Sequence, residues 1–506
     1  MLAKTNSFTL YGLEGIPIEV ETDINYGIAA FEMVGLADTA VKESKERIFS
    51  AIRNSGRKFP DTRITVNLAP ASIRKEGAAF DLPIAMSVLK ASDQLVGVDL
   101  SEYVLLGELA LNGALRPLVG VLPILISAKS RGFRKFIIPF ANANEASFIG
   151  DIEVFPARSL KEVIDHCSGY APIPPVSVRS FSAARESACV HDLSYVKGQT
   201  VAKRALEIAV SGGHNLLLVG PPGAGKTMLA KCIPSIMPDM TFAEALEVTK
   251  IHSVAGNLGK DGIITTRPFR TPHHSATMVA MCGGGTHGVK PGEISLAHNG
   301  VLFLDEMPEY SRATLESLRQ PLEDGVITVN RAIGSITYPA SFTLCASMNP
   351  CPCGNYGSGE RRCTCTPAMR QKYRARISGP LLDRIDIQVE VDAVRYDDLI
   401  SRTPAESSAS VRSRVEKARE IQRNRFASAD IYTNSQMTER EIRTFCPLSE
   451  ECEEILRESF MRLHLSARAR SRIIKVARTI ADLDFAENIS PVHIVEAISY
   501  RTYESE

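Results

Sequence analysis

Four apolar residues in a row, Leu216-Leu217-Leu218-Val219, stop abruptly at a glycine. A short run with no polar member is the pattern of a strand buried on both faces, as in a parallel sheet. The pattern recurs at Val301-Leu302-Phe303-Leu304 and at 342–348 with helical periodicity between, so residues 189–392 are predicted to form an α/β unit with a parallel sheet. Upstream, residues 1–170 mix alternating stretches (63–68, 136–139) with amphipathic helical ones (37–54, 82–91), predicting a separate α/β domain. Between the two, Ala171-Pro172-Ile173-Pro174-Pro175 opens a non-periodic linker over 171–188. Residues 393–506 begin with a Ser-rich connector at 401–410 and then read as helices over 411–426, 449–463, 467–483 and 492–502. Ser449 is a predicted N-cap and Ser490-Pro491 a helix start.

Composition narrows this picture little. A chain of 506 residues needs more than one core, and 44% hydrophobic with 23% charged residues is ordinary for a globular protein. With 58 basic and 58 acidic residues, a polyanion must be gripped by a local basic patch. No apolar run approaches the ~18–20 residues that span a bilayer. Met1 to Asn6 shows no secretory h-region, and the eleven cysteines are scattered. A cytoplasmic protein without membrane partners is expected.

The glycine that ends the first run opens Gly220-Pro221-Pro222-Gly223-Ala224-Gly225-Lys226-Thr227. A strand running into a glycine-rich turn, then a Lys-Thr pair opening a helix, is a phosphate-binding loop. Glycines let backbone N–H groups wrap a phosphate without Cβ clashes. Lys226 puts a cation on the β/γ-phosphates, the Thr227 hydroxyl ligates Mg²⁺, and the helix N-terminus adds favourable partial charge. The run at 301–304 ends in Asp305-Glu306. Asp305 is placed to hold Mg²⁺ through water, and Glu306 to orient and deprotonate the attacking water. Asn349 ends a third apolar run, where it either hydrogen-bonds the γ-phosphate or the water, or starts a turn before Pro350.

Phosphate loop, Asp-Glu strand, hairpin-like insert and Asn-ended strand follow the order seen in AAA+ ATPases, which this segment resembles. The resemblance makes Asn349 the sensor 1 residue. Gly379-Pro380-Leu381-Leu382-Asp383-Arg384-Ile385-Asp386 is similar to the arginine-finger segment of the MCM and magnesium-chelatase branch. By that match Arg384 reaches the γ-phosphate of a neighbouring subunit, which implies a ring, a homo-oligomer of hexameric kind; alone, Arg384 also reads as a surface ion pair with Asp383 or Asp386. Leu465-Ser466-Ala467-Arg468-Ala469 resembles sensor 2 through Arg468, with Arg470 and Arg472 near enough to leave the choice open. Val196-Lys197-Gly198-Gln199 matches the segment that packs on adenine, placing Val196 and Gly198 at the base and favouring ATP over GTP.

The stretch from Thr227 to Val301 is long for one helix and a loop, and its prolines and glycines (Thr266 to Ser275, Gly283-Gly284-Gly285) exclude a continuous helix. It matches the helix-2 insert of the same branch. His273 and His274 within it read as polar contacts more readily than as metal ligands. Residues 325–338 alternate around a polar tip and predict a β-hairpin carrying Arg331. In related rings such hairpins face the pore, which makes Arg331 a DNA contact; an ordinary surface hairpin is the alternative. Cys351-Pro352-Cys353 and Cys363-Thr364-Cys365 form C-x-C-x9-C-x-C in a glycine-rich loop that also holds Arg361 and Arg362. Four thiolates there suit a structural Zn²⁺, although the usual knuckle is C-x2-C, and free or redox-labile thiols are the other reading. Arg361 and Arg362 are further DNA candidates. Cys167, Cys189, Cys232, Cys282, Cys345, Cys446 and Cys452 read as core or incidental.

Residues 64–83, Gly113 to Gly120 and Phe136-Ile137-Ile138-Pro139 resemble the proteolytic domain of Lon. At the positions of that family's Ser-Lys dyad stand Ala79 and Leu122, which cannot act as nucleophile and base. A Lon-like fold without peptidase activity is expected. From end to end the chain resembles the YifB/ComM family: a Lon-like domain, a magnesium-chelatase-type AAA+ core and a C-terminal helical lid. The resemblance implies ATP-driven branch migration of DNA, in recombination or natural transformation. The rivals are a chelatase-type motor for metal insertion, an ATP-dependent protease and an ATP-gated scaffold; Ala79 and Leu122 oppose the second, and Glu306 the third.

Overall fold

The computed structural model describes all residues except 37, 39, 40, 42, 76, 184–190, 286–288, 332–333, 358–361, 394–404, 428, 430, 464–465 and 502–506, and the side chain of Arg331. Cys189 and Arg361 therefore lie outside the described residues, as does most of the predicted connector at 401–410.

Two sheets organise the chain. The first orders seven strands as Ala30–Val34, Arg63–Ala69, Glu14–Asn25, Leu2–Tyr11, Tyr103–Leu105, Lys135–Pro139 and Glu153–Ala157. Its strands alternate buried and exposed positions where one face meets solvent, as along Arg63–Ala69. Helices Ser44–Asn54 and Asp81–Ala91 cover one face around Ile48, Leu82 and Met86, and helix Val121–Ser130 covers the other around Phe8, Leu125 and Phe136. The predicted helix over 37–54 is described as a helix only from Ser44.

The second sheet orders Phe269–Arg270, Val301–Leu304, Thr343–Met348, Leu216–Val219 and Ile387–Glu390, all parallel. Its apolar runs have the reason foreseen: both faces are covered. Leu216 and Leu218 enter one core with Phe303, Cys345 and Ile387, while Leu217 and Val219 enter another with Leu302, Leu344 and Ala346. Gly220 is obligatory at the end of the central strand, because a Cβ there would lie 2.1 Å from the Val391 carbonyl oxygen.

The C-terminal helices do not form an independent core. Val411 and Val415 of helix Ser408–Arg425, and Ile473 and Ile480 of helix Ala467–Leu483, share the core of Leu216 and Leu218. Ser408, placed in a connector by its composition, starts a helix instead; Ser407 caps it, and the Ser408 hydroxyl accepts the Leu193 N–H. Ser449 caps as foreseen, and a helix starts at Pro491 after Ser490, also as foreseen. Asp482 is fully buried and receives Arg425 Nη1 at 2.8 Å, Asn434 Nδ2 at 2.8 Å and Arg478 Nη2 at 3.0 Å.

The seven-stranded unit docks on helix Phe242–Ala255 through Glu145, a buried carboxylate that accepts from Ser253 Oγ at 2.9 Å and the Leu122 N–H at 3.2 Å. Burial raises its pKa above the ordinary range. A second contact joins the turn after Leu2–Tyr11 to the hairpin of Val326–Arg331 and Gly334–Pro339, where the Tyr11 hydroxyl donates to the Ser335 carbonyl at 3.4 Å. No described helix is long and apolar enough to cross a membrane.

Asp482→Ala strands the Arg425 and Arg478 guanidiniums in the core. It is expected to cost about 3–5 kcal/mol of stability, read as a lower denaturation midpoint; an unchanged midpoint contradicts the role given to this carboxylate.

Candidate functional site

Because the five strands run parallel, their carboxyl ends open on one edge, where ligands of such sheets bind. Three of these ends carry the predicted residues. Gly220 follows Val219, Asp305 follows Leu304 and Asn349 follows Met348; Asp305, Asn349, Ser347 and Met348 frame a cleft of about 380 Å³ walled also by Pro222 to Met228 and Glu306.

The phosphate loop has its predicted shape. Gly223 and Gly225 take φ of +80° and +88°, which a side chain would disfavour, and the helix Lys226–Lys231 begins immediately after. Lys226 is nearly buried. Its ammonium donates to the carbonyls of Gly220 at 2.6 Å and Pro221 at 2.9 Å and to Asn349 Oδ1 at 3.1 Å. Burial holds it below the ordinary lysine range against the pull of Asp305 and Glu306. Asn349 thus faces the cleft through its side chain rather than serving only as a turn residue.

Asp305 joins the other side. The Thr227 hydroxyl donates to its Oδ2 at 2.9 Å, the Ser347 hydroxyl donates to its Oδ1, and the Glu306 N–H reaches Oδ1 at 3.1 Å and Ser347 Oγ at 3.2 Å. A hydroxyl and a carboxylate oxygen side by side fit the hydrated octahedral shell of Mg²⁺. Glu306 adopts φ +52° and its side chain is 59% exposed, with His274 Nδ1 3.9 Å from Oε2. His273 stacks on His274 and bonds Ser275, so these histidines make polar and ring contacts.

Sequence reasoning missed Ser347. Its signal was a hydroxyl in an apolar buried strand, two residues before Asn349 and therefore on the same strand face. Gln199 was named only as the end of the adenine-side segment, and its contact was not foreseen: its Nε2 donates to the Ala224 carbonyl of the phosphate loop at 3.3 Å and to the Asp392 carbonyl at 2.6 Å. Val196 is buried in the adjoining core, and Gly198 turns the chain with φ +62°. Neither lines the cleft.

The arginines are placed elsewhere. Arg384, 7% exposed, donates Nη1 to the Pro380 carbonyl at 2.7 Å and Nη2 to Glu323. An ion pair exists, then, but with Glu323 and not with Asp383 or Asp386; Asp386 is buried and pairs with Arg472. Arg384 holds the Glu323 carboxyl below its usual range, and Arg468 adds to the effect, which places Arg468 in the same neighbourhood. Arg468 is exposed, whereas Arg470 is bound to Glu453 at 2.7 Å. Neither Arg384 nor Arg468 lines the cleft.

The four loop cysteines meet. Cys351 Sγ is 3.4 Å from Cys353 and 3.7 Å from Cys363, Cys353 and Cys363 are 3.7 Å apart, and all four sulfurs lie within 4.8 Å of one another. Four thiolates around Zn²⁺ at Zn–S ~2.3 Å lie about 3.8 Å apart, so the set fits that ion. The N–H groups of Asn355 and Thr364 pull the Cys353 thiol down to about 5. Arg362, in the same loop, is exposed.

A parallel sheet with this phosphate loop and an Asp-Glu strand end defines a nucleotide-dependent α/β protein of the magnesium-chelatase AAA+ type. Residues 192–399 match the family described as magnesium chelatase, subunit ChlI; residues 20–142 match subunit ChlI of Mg-chelatase, and 405–501 its C-terminal part. The chain is 46% identical over 493 residues to protein YifB of Escherichia coli, itself described as uncharacterized, covering 97% of this chain and 95% of that one. It is 43% identical over 503 residues to competence protein ComM of Haemophilus influenzae, covering 99% and 97%. A shorter likeness, 28% over 178 residues and 32% of each chain, is to Lon protease 2 of Bacillus subtilis. The chain belongs to the YifB/ComM family. Family and site together support an ATPase that uses ATP and Mg²⁺.

Ser347→Ala removes the hydroxyl that orients Asp305. It is expected to raise the Mg²⁺ concentration for half-maximal ATP turnover by about tenfold; a superimposable Mg²⁺ titration would rule that role out.

Proposed function

We propose that this chain is the subunit of a ring-shaped, ATP-hydrolysing motor of the cytoplasm that moves DNA, in branch migration during recombination or natural transformation. One observation carries the reading: no arginine lines the cleft among the described residues, while Arg384 and Arg468 share the neighbourhood of Glu323. Hydrolysis of a triphosphate gains greatly from a guanidinium at the γ-phosphate. Apposed protomers supply one. Lys226 grips the β/γ-phosphates from one side. Mg²⁺ held by Thr227 and Asp305 neutralises phosphate charge. Glu306 takes the proton of the attacking water, and Asn349 orients that water. Arg384, with Arg468 beside it, meets the γ-phosphate from the next subunit, leaving Glu323 to do so. Val196 and Gly198 flank the adenine.

Support for DNA comes from the relative named for competence, and from the hairpin of Val326–Arg331 and Gly334–Pro339. A ring of Arg331 side chains, with Arg361 and Arg362 of the cysteine loop, gives salt-sensitive, sequence-blind contact with phosphates. In this reading the cysteines hold a structural zinc. Residues 1–170 form a Lon-like scaffold without peptidase activity, joined by the 171–188 linker to the AAA+ core of 189–392 and the helical lid of 393–506. Leu122 offers only a buried apolar side chain and Ala79 no hydroxyl, which supports the absence of a peptidase dyad.

Mixing subunits tests the shared site. Lys226→Ala and Arg384→Ala are each expected to abolish ATP turnover, and a mixture to regain part of it, because some seams then carry an intact loop from one chain and an intact arginine from the other. A mixture as inactive as its components would refute catalysis across a seam. Arg331→Ala is expected to weaken binding of four-way DNA while leaving basal turnover in place, measured by titration at several salt concentrations; unaltered affinity removes the hairpin from the DNA path. DNA that fails to stimulate wild-type turnover turns the reading toward the metal-insertion motor.

A further inference from the structure

The cysteine loop and the segment that follows it meet the ATP site and its flank at three points. First, Gly354 lies against the phosphate loop: with φ +80°, a Cβ added there would come within 2.6 Å of Pro222 Cδ and 2.7 Å of Pro222 Cγ. Second, Asn349 is two residues before Cys351, and Tyr373, on the helix Pro367–Arg374 that follows Cys365, lies against the Asn349 backbone. The loop is thus closed at both ends on the residue whose side chain accepts from Lys226. Third, Arg376 just past that helix donates to the Pro308 carbonyl at 3.3 Å and to Glu309 at 2.8 Å, in the turn that follows Glu306.

Most of the described contacts within the loop converge on its sulfurs: the N–H groups of Asn355 and Thr364 face Cys353, and that of Tyr356 faces Cys351, while the Gly354 N–H donates to the Cys351 carbonyl at 3.0 Å. Arg370 lies 4.3 Å from the Tyr356 ring and donates to the Cys365 carbonyl at 3.2 Å, and the Cys365 N–H reaches Cys363 Sγ at 3.4 Å. Cys351 and Cys365 are buried, and the sulfurs stand at the spacing of a tetrahedral ZnS₄ edge, far beyond the ~2.05 Å of a disulfide.

The geometry points to a zinc ion on Cys351, Cys353, Cys363 and Cys365 as the brace of the nucleotide site: by fixing the loop it presses Gly354 on Pro222 and aims Asn349 at Lys226, so that metal loading sets the rate of ATP turnover. This rests on the zinc reading above and extends it from a local staple to a positioning element. The metal takes no part in the chemistry. It acts through Pro222 and Asn349, in the way that outer-shell partners orient the groups that react.

The test uses the full-length protein. Metal analysis of the purified chain is expected to find about one zinc per chain. Stripping that zinc with a chelator is expected to lower ATP turnover about tenfold and to speed amide hydrogen exchange in the peptide 220–227, and adding zinc back is expected to reverse both. Gly354→Ala leaves the four thiols intact, so it is expected to retain the zinc while accelerating exchange in 220–227. A chain purified without zinc overturns the site. Zinc removal that leaves both exchange in 220–227 and turnover as they were overturns the brace. The exchange readout needs no turnover, so the brace is judged even if the protein proves not to hydrolyse ATP.

Discussion

A single carboxylate holds the nucleotide site together. Asp305 receives the Thr227 hydroxyl from the phosphate-loop helix, the Ser347 hydroxyl from the neighbouring strand and the Glu306 N–H from its own chain. Three segments distant in sequence are locked at one sheet edge by bonds to one charged group, and such bonds are stronger than neutral ones. The arrangement is possible only because the strands run parallel, so that three carboxyl ends open on one side. It leaves Lys226 and Asn349 facing one another across the cleft, and sets Glu306 in a left-handed turn with its side chain toward solvent.

The site so built is chemically one-sided. It presents an ammonium, a hydroxyl beside a carboxylate and a second, exposed carboxylate, while no arginine lines the cleft among the described residues. Arg384 is buried against Glu323, whose carboxylate is more than half exposed. An exposed carboxylate can pair with a buried arginine at low desolvation cost, since its own charge stays partly solvated. The same face leads through Gly325 into the hairpin, and the hairpin rests on the turn after Leu2–Tyr11. The seven-stranded unit thus meets this region at the hairpin through Tyr11, and helix Phe242–Ala255 separately through buried Glu145.

Much of the nucleotide site was legible because its determinants are local. A phosphate loop is a run of eight residues with a preceding strand, and the apolar runs at 216–219 and 301–304 are each a single buried strand. What escaped were partners brought in from other segments: Ser347 beside Asp305, Gln199 against Ala224, Glu323 on Arg384 and Tyr373 on Asn349. None has a neighbour in sequence that betrays its contact. The Ser-rich composition of 401–410 likewise misled at Ser408, because a helix start and a polar connector favour the same residues.

By itself, the sequence determined which residue types stand in short, fixed spacing: the glycine-rich run before Lys226-Thr227, the Asp-Glu pair at a strand end and the four thiols. These are properties of residue type and short spacing, and folding does not change them. The tertiary structure alone decided which of them meet. It put the cysteine loop on Pro222, tied Arg384 to Glu323 rather than Asp383 or Asp386, kept Arg468 exposed while engaging Arg470 and Arg472, and merged the C-terminal helices into the core of the parallel sheet. Such choices depend on packing between segments far apart in the chain, and hydrophobic burial, being non-directional, writes no local signal for them.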